Sequence, residues 1–208
     1  MGEEPAPAMS NERTRPKNQG GEGLKNTSLP NVPQLFREMD SAYKVGSFSD
    51  TRYALQQALR CLEMEMGKQL LRSLPATVAG LMVDSSQDIV SCSSWGWSNV
   101  VIKRQYYKND QQLDIVMGST NEKHALYKSY FDGNMQSNNE DLNWKEIKVK
   151  GRKGIIEYEK SEGYTVSVAV GQTSLITWKG INFANEQAIM QAVNTFDVNA
   201  IVKLMGEN

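Results

Sequence analysis

At Pro75 the chain changes its hydrophobic period, and this one switch excludes both an all-helical and an all-β reading. Before it, apolar residues recur at steps of three and four. They run Leu35, Phe36, Met39 and Tyr43, then Leu55, Ala58, Leu59, Leu62, Met66, Leu70 and Leu74. After it they alternate in twos, as in Leu113, Ile115 and Met117 or in Tyr164, Val166, Val168 and Val170. The first spacing lays an apolar stripe along a helix, the second along one face of a strand. Helices first and runs of strands afterwards predict the α+β class.

Local signals set the element boundaries. Asn31-Val32-Pro33-Gln34 supplies an N-cap, a proline in the first turn and a Gln at the third position, and Gly46 stops the helix that follows. Ser49 or Asp50 starts a second, longer helix that Pro75 ends. The two make a helical hairpin with one face needing a partner. Short strands are expected over Thr77–Val83 and Ile89–Cys92, and the hairpin of Asn99–Tyr107 with Gln112–Met117 turns at Lys108-Asn109-Asp110-Gln111. A short helix is expected from Ser119 or Thr120 to about Phe131, then a polar loop over Asn134–Asn143. Lys145–Lys150, Gly154–Lys160, Tyr164–Val170 and Thr173–Lys179 are the next strands, joined by tight turns and therefore antiparallel. Asn182 or Asn185 caps a terminal helix, and Asp197 a segment after it. The expected architecture is an N-terminal helical hairpin, a curved antiparallel sheet of about seven strands and a C-terminal helix packed on the sheet.

Residues 1–30 contain just two large aliphatics, Leu24 and Leu29, among Gly, Pro, Asn and Glu. Such a stretch buries too little surface to offset its ordering entropy and reads as a disordered N-terminal tail. Residues 31–208 then form a single α+β domain. No run of about 18 apolar residues is present, so no transmembrane segment is expected. The start of the chain looks like that of an exported protein whose signal peptide has been removed, which places it in the periplasm or cell envelope; an intact cytoplasmic start is the alternative.

Charge and chemistry narrow the function classes. Lys plus Arg number 23 and Asp plus Glu 24, so no global field draws the chain to nucleic acid, and none is expected as partner. A single histidine, His124, and two cysteines outside any CxxC pair exclude multi-His and complete zinc-thiolate sites. No metal or other cofactor is expected. Cys61 and Cys92 form either one disulfide or two separate buried thiols. Phosphate-loop, GxSxG, HExxH and EF-hand patterns are absent, and Gly151-Arg152-Lys153-Gly154 is a turn between strands. A catalytic reading needs His124, Asp114, Glu157 or Glu159 in one cleft, and their spacing does not favour it; no catalytic residue is assigned.

Two features suit contact with a partner or ligand. Trp95 and Trp97 flank Gly96 where the strand pattern fails, and in period two both indoles face one side, as a core plug or an exposed platform. Lys145, Lys148, Lys150, Arg152 and Lys153 form a basic cluster in which Lys148, Lys150 and Arg152 can align on one strand face. That face would meet phosphate, lipid headgroups or an acidic partner, or serve only to protect an edge.

Several segments carry a resemblance. They are Ala54-Leu55-Gln56-Gln57-Ala58 leading to Ser73-Leu74-Pro75, Tyr106-Tyr107-Lys108, Gly163-Tyr164-Thr165 through Gly171-Gln172-Thr173, and Gly180-Ile181-Asn182-Phe183. Through them the chain resembles a group of exported bacterial α+β proteins of Bacteroidetes type. At fold level the element order is similar to PsbP-like domains, with the LolA-like half-barrel second; the two-helix start is not the usual opening of either. The resemblance implies a non-catalytic extracytoplasmic binding or assembly module with a protein partner. The alternative is a carrier of a lipid or other apolar ligand in a cavity between sheet and helices.

Overall fold

A computed structural model of the chain describes Gly20 and residues 31–92, 100–118, 143–171 and 174–206. The expected short helix near 119–131, the tail, His124, Trp95 and Trp97 lie outside the described residues. Helices α1 (Val32–Lys44) and α2 (Phe48–Ser73) form the predicted hairpin. Asn31 caps α1, its side chain accepting from the Gln34 amide at 2.8 Å, with Pro33 in the first turn. Leu35 and Val32 pack on Ala58 and Cys61 of α2, where small side chains let the helices approach closely.

The apolar stripe on α2 divides its work in a way that period alone did not foretell. Ala54, Ala58 and Cys61 are buried toward α1, and Gly67, Leu70, Leu71 and Leu74 are buried at the other end. A Cβ at Gly67 would stand 2.5 Å from Val90 Cγ1, so that glycine is where α2 presses onto the sheet. Leu55 and Leu62, counted in the buried stripe by period, are 47% and 45% exposed. Phe36 and Tyr43 of α1 are exposed as well.

The strands are β1 (Thr77–Val78), β2 (Leu81–Cys92), β3 (Val100–Lys108), β4 (Gln111–Gly118), β5 (Trp144–Val149), β6 (Arg152–Glu159), β7 (Gly163–Val170) and β8 (Ser174–Ile181). They form one antiparallel sheet of order β1-β2-β3-β4-β8-β7-β6-β5. Two four-strand meanders thus meet where β4 pairs with β8. The sheet has eight strands: the expected strand Thr77–Val83 folds back on itself, its start forming β1 and its end running on into the expected Ile89–Cys92 strand as β2. Ala79 and Gly80, both at positive φ, make a two-residue turn that pairs Val78 with Leu81. Beyond it β2 runs on to Cys92 through a register shift between Asp84 and Ile89, where the polar run Asp84-Ser85-Ser86-Gln87-Asp88 hides the alternation. The sheet is not strongly curled, and β1 and β5 lie at its opposite edges.

Helices α3 (Glu186–Val193) and α4 (Val198–Leu204), capped by Asn185 and Asp197, cover one face together with the C-terminal half of α2. Between them and the sheet, Trp178, Tyr106, Phe196 and Ile189 are fully buried. The Phe196 ring lies 5.8 Å from both Tyr106 and Trp178. The Trp178 Nε1–H is buried with no hydrogen-bond partner among the described residues.

A buried ion pair sits in this face. Arg104, 9% exposed, grips Asp88 through Nε at 2.9 Å and Nη2 at 2.6 Å, and donates from Nη1 to the Leu71 carbonyl at the end of α2. Beside it the Tyr106 hydroxyl donates to the Pro75 carbonyl at 2.9 Å. The ion pair holds the irregular stretch of β2 against β3, while the carbonyl contacts moor the helix end that the proline leaves unsatisfied.

Candidate binding surface

Residues paired across antiparallel strands share a face, so the register sorts every strand residue. The face away from the helices carries a polar band: Trp144, Glu157, Thr165, Lys179, Asp114, Gln105 and Asp84, one from each strand from β5 to β2. Asp114 accepts from Lys103 at 3.0 Å and from the Gln105 and Gln112 amides at 3.0 Å each. The next row is apolar and exposed. Met82, Tyr107 and Ile181 are 56%, 49% and 42% accessible, with Gln112 between the last two.

At the β5 end the band opens into two clefts. One, of about 480 Å³, is lined by Trp144, Glu157, Glu159, Glu162, Thr165 and Lys179 among others. The other, of about 340 Å³, lies round the sheet edge among Trp144, Lys145, Ile156, Tyr158, Tyr164 and Glu186. Lys145 pairs with Glu186 there at 2.7 Å. Glu157 and Glu159 share a cleft, as their spacing on one strand requires. Asp114 does not join them: it lies three strands from Glu157, about 14 Å away at the usual inter-strand spacing.

The basic trio does not share a face. Lys150 is in the turn between β5 and β6 at φ 49°, next to Gly151. Lys148 pairs with Lys153, whereas Arg152 pairs with the buried Val149 and so points to the helix side, where its Nε reaches Asn199 of α4 at 3.4 Å. The two-residue turn Lys150-Gly151 takes Lys150 out of the strand and interrupts the alternation, so Lys148 and Arg152 fall on opposite faces. Trp144, Tyr107, Lys179 and Ile181 are not among the residues expected from sequence; the signal for Tyr107 and Lys179 is their outward position beside the buried Tyr106 and Trp178.

Cys61 and Cys92 are not bridged. Cys61 lies between the two helices, while the Cys92 thiol donates to Glu63 Oε2 at 2.8 Å. Burial, reinforced by that carboxylate, pushes the Cys92 thiol up to about 12, and burial does the same to the Tyr106 hydroxyl, also to about 12. Both folded values exceed the unfolded ones. The stability they contribute is therefore intact below the ordinary pKa of each group and is lost as pH climbs toward 12. At pH 8 the folded chain is expected to react with a thiol reagent at Cys92 about 10³-fold more slowly than the unfolded chain, because thiolate is the reactive form. Rapid labelling of Cys92 in the folded chain at that pH would contradict the Glu63 contact.

Comparison of the chain with protein-family models, curated proteins and solved structures returns no match. Among the described residues no group of His, Cys, Asp or Glu is placed to hold a metal ion, and no helix is long and apolar enough to cross a membrane.

Proposed function

We propose that the protein is a non-catalytic binding or assembly module that acts outside the cytoplasm and docks a protein partner on the face of its sheet opposite the described helices. The observation that carries this reading is the exposed apolar row Met82, Tyr107 and Ile181 beside a charged, hydrogen-bonded band. An apolar strip with a polar border is the usual anatomy of a protein interface, and Tyr is among the side chains most enriched at its energetic centre. The apolar-ligand reading wants open space between sheet and helices; the described side chains there are packed, and the described clefts lie at the β5–β6 edge.

The test is affinity capture with the full chain against the double variant Tyr107→Glu, Ile181→Asp. Both sites are exposed, so circular dichroism and melting are expected to stay as in the parent. A protein captured by the parent and reduced at least about tenfold by the variant supports the docking face, tenfold being about 1.4 kcal/mol. Equal capture by both chains removes the face from the account.

A further inference from the structure

We infer that the N-terminal hairpin pairs with a second copy of itself, through one flank of α1 and α2 that lies apart from the sheet face discussed above. Exposed large side chains recur seven residues apart on each helix: Phe36 and Tyr43 on α1, Phe48, Leu55 and Leu62 on α2. Seven residues is about two turns, so each set stays on one side of its helix. At about 100° per residue, Phe36 and Tyr43 stand roughly a quarter turn from Leu35, which faces α2. Leu55 and Leu62 stand a similar angle from Ala58 and Cys61, which face α1. Because the helices are antiparallel, these two rotations bring both sets to the same flank. The Tyr43 and Phe48 rings meet edge-on across the turn at 6.2 Å, as one continuous patch requires.

The sheet does not reach this flank. Gly67, Leu70, Leu71 and Leu74 meet it on the side of α2 roughly opposite α1, and Leu35, Ala58 and Cys61 form a cluster separate from the main core.

Charge complementarity names the occupant. Asp40 stands four residues before the last residue of α1, and Arg52 four residues after the first residue of α2. They therefore sit at one height above the turn, Asp40 bordering the patch on the α1 side and Arg52 on the α2 side. A two-fold axis parallel to the helices lays α1 of one copy over α2 of the other and preserves height. It sets Asp40 against the second copy's Arg52, and Arg52 against the second copy's Asp40. Phe36 and Tyr43 then cover Leu55 and Phe48 of the other hairpin, making a four-helix bundle with the two sheets on opposite sides. Among the described residues of one chain, Asp40 has only the exposed Lys44, at 2.6 Å, and Arg52 has no ion-pair partner.

Sedimentation equilibrium of the full chain is expected to give twice the chain mass at about 10 µM, and the monomer for Leu55→Asp with Leu62→Asp. Asp40→Arg and Arg52→Asp each place a charge that suits the adjoining helix end, so neither should harm the fold. Each alone is expected to weaken pairing about tenfold or more, and the two together to restore it. A parent that stays monomeric at about 100 µM overturns the inference, whether the flank is then covered by another protein, by residues 1–30 or by a lipid surface. A dimer that survives Leu55→Asp with Leu62→Asp, or a charge swap that fails to restore it, does so too.

Discussion

Gly118→Ala is expected to destabilise the fold by about 4 kcal/mol or more, among the largest effects a single methyl can have here. Gly118 ends β4 at φ 136° with β3 on one side and β8 on the other. A Cβ there would lie 1.9 Å from the Val100 carbonyl oxygen, a backbone atom of β3 that no rotamer change can move. The strained φ adds about 1–3 kcal/mol, and the clash forces the β3–β4 register apart at its end. For a domain of this size the melting temperature should fall by roughly 10 °C. Gly151→Ala is the control. Gly151 has φ 84° with nothing within 4 Å of a new Cβ, so it should lose only about 1 kcal/mol. Equal losses at the two sites would mean that the close strand contact at Gly118 is wrong.

Asp88→Ala is expected to destabilise by about 3–5 kcal/mol, because it leaves the Arg104 guanidinium buried without its counter-charge. The carboxylate holds Arg104 above its ordinary pKa, against the opposing effect of burial, so the arginine will not escape by losing its proton. Replacing both partners by apolar residues, Asp88→Leu with Arg104→Met, should recover most of the loss. The residual deficit reports the Leu71 carbonyl that Arg104 also serves. Urea melts of the two single variants and the double variant complete the cycle. If Asp88→Ala melts like the parent, the pair is not desolvated as described.

Much of the backbone plan was legible because its causes are local. Asn31, Asn185 and Asp197 cap helices with their own side chains, each within three residues of the amide it accepts from. The turns at Asn109-Asp110 and Ser161-Glu162 fix antiparallel neighbours that are adjacent in the chain. The turn at Ala79-Gly80 escaped notice because an alanine at φ 49° is a conformation its side chain rarely adopts. For the binding surface, alternation beside the apolar Tyr106 and Trp178 is enough to turn Tyr107 and Lys179 outward, though neither is among the residues expected from sequence, but it is silent on their lying on neighbouring rows. That juxtaposition depends on β4 pairing with β8, strands more than fifty residues apart.

The amino-acid order by itself determined where helices give way to strands, which strands turn tightly into one another, and which side of each element is apolar. Only the tertiary structure decided which apolar sides are covered. Leu55 and Leu70 belong to one stripe by spacing, yet one is exposed and the other is 1% accessible. It likewise put Lys148 and Arg152 on opposite faces and gave Arg104 its buried partner. The reason is that hydrophobic burial has no direction of its own: a side chain is buried when distant segments arrive over it, and local periodicity is silent about their arrival.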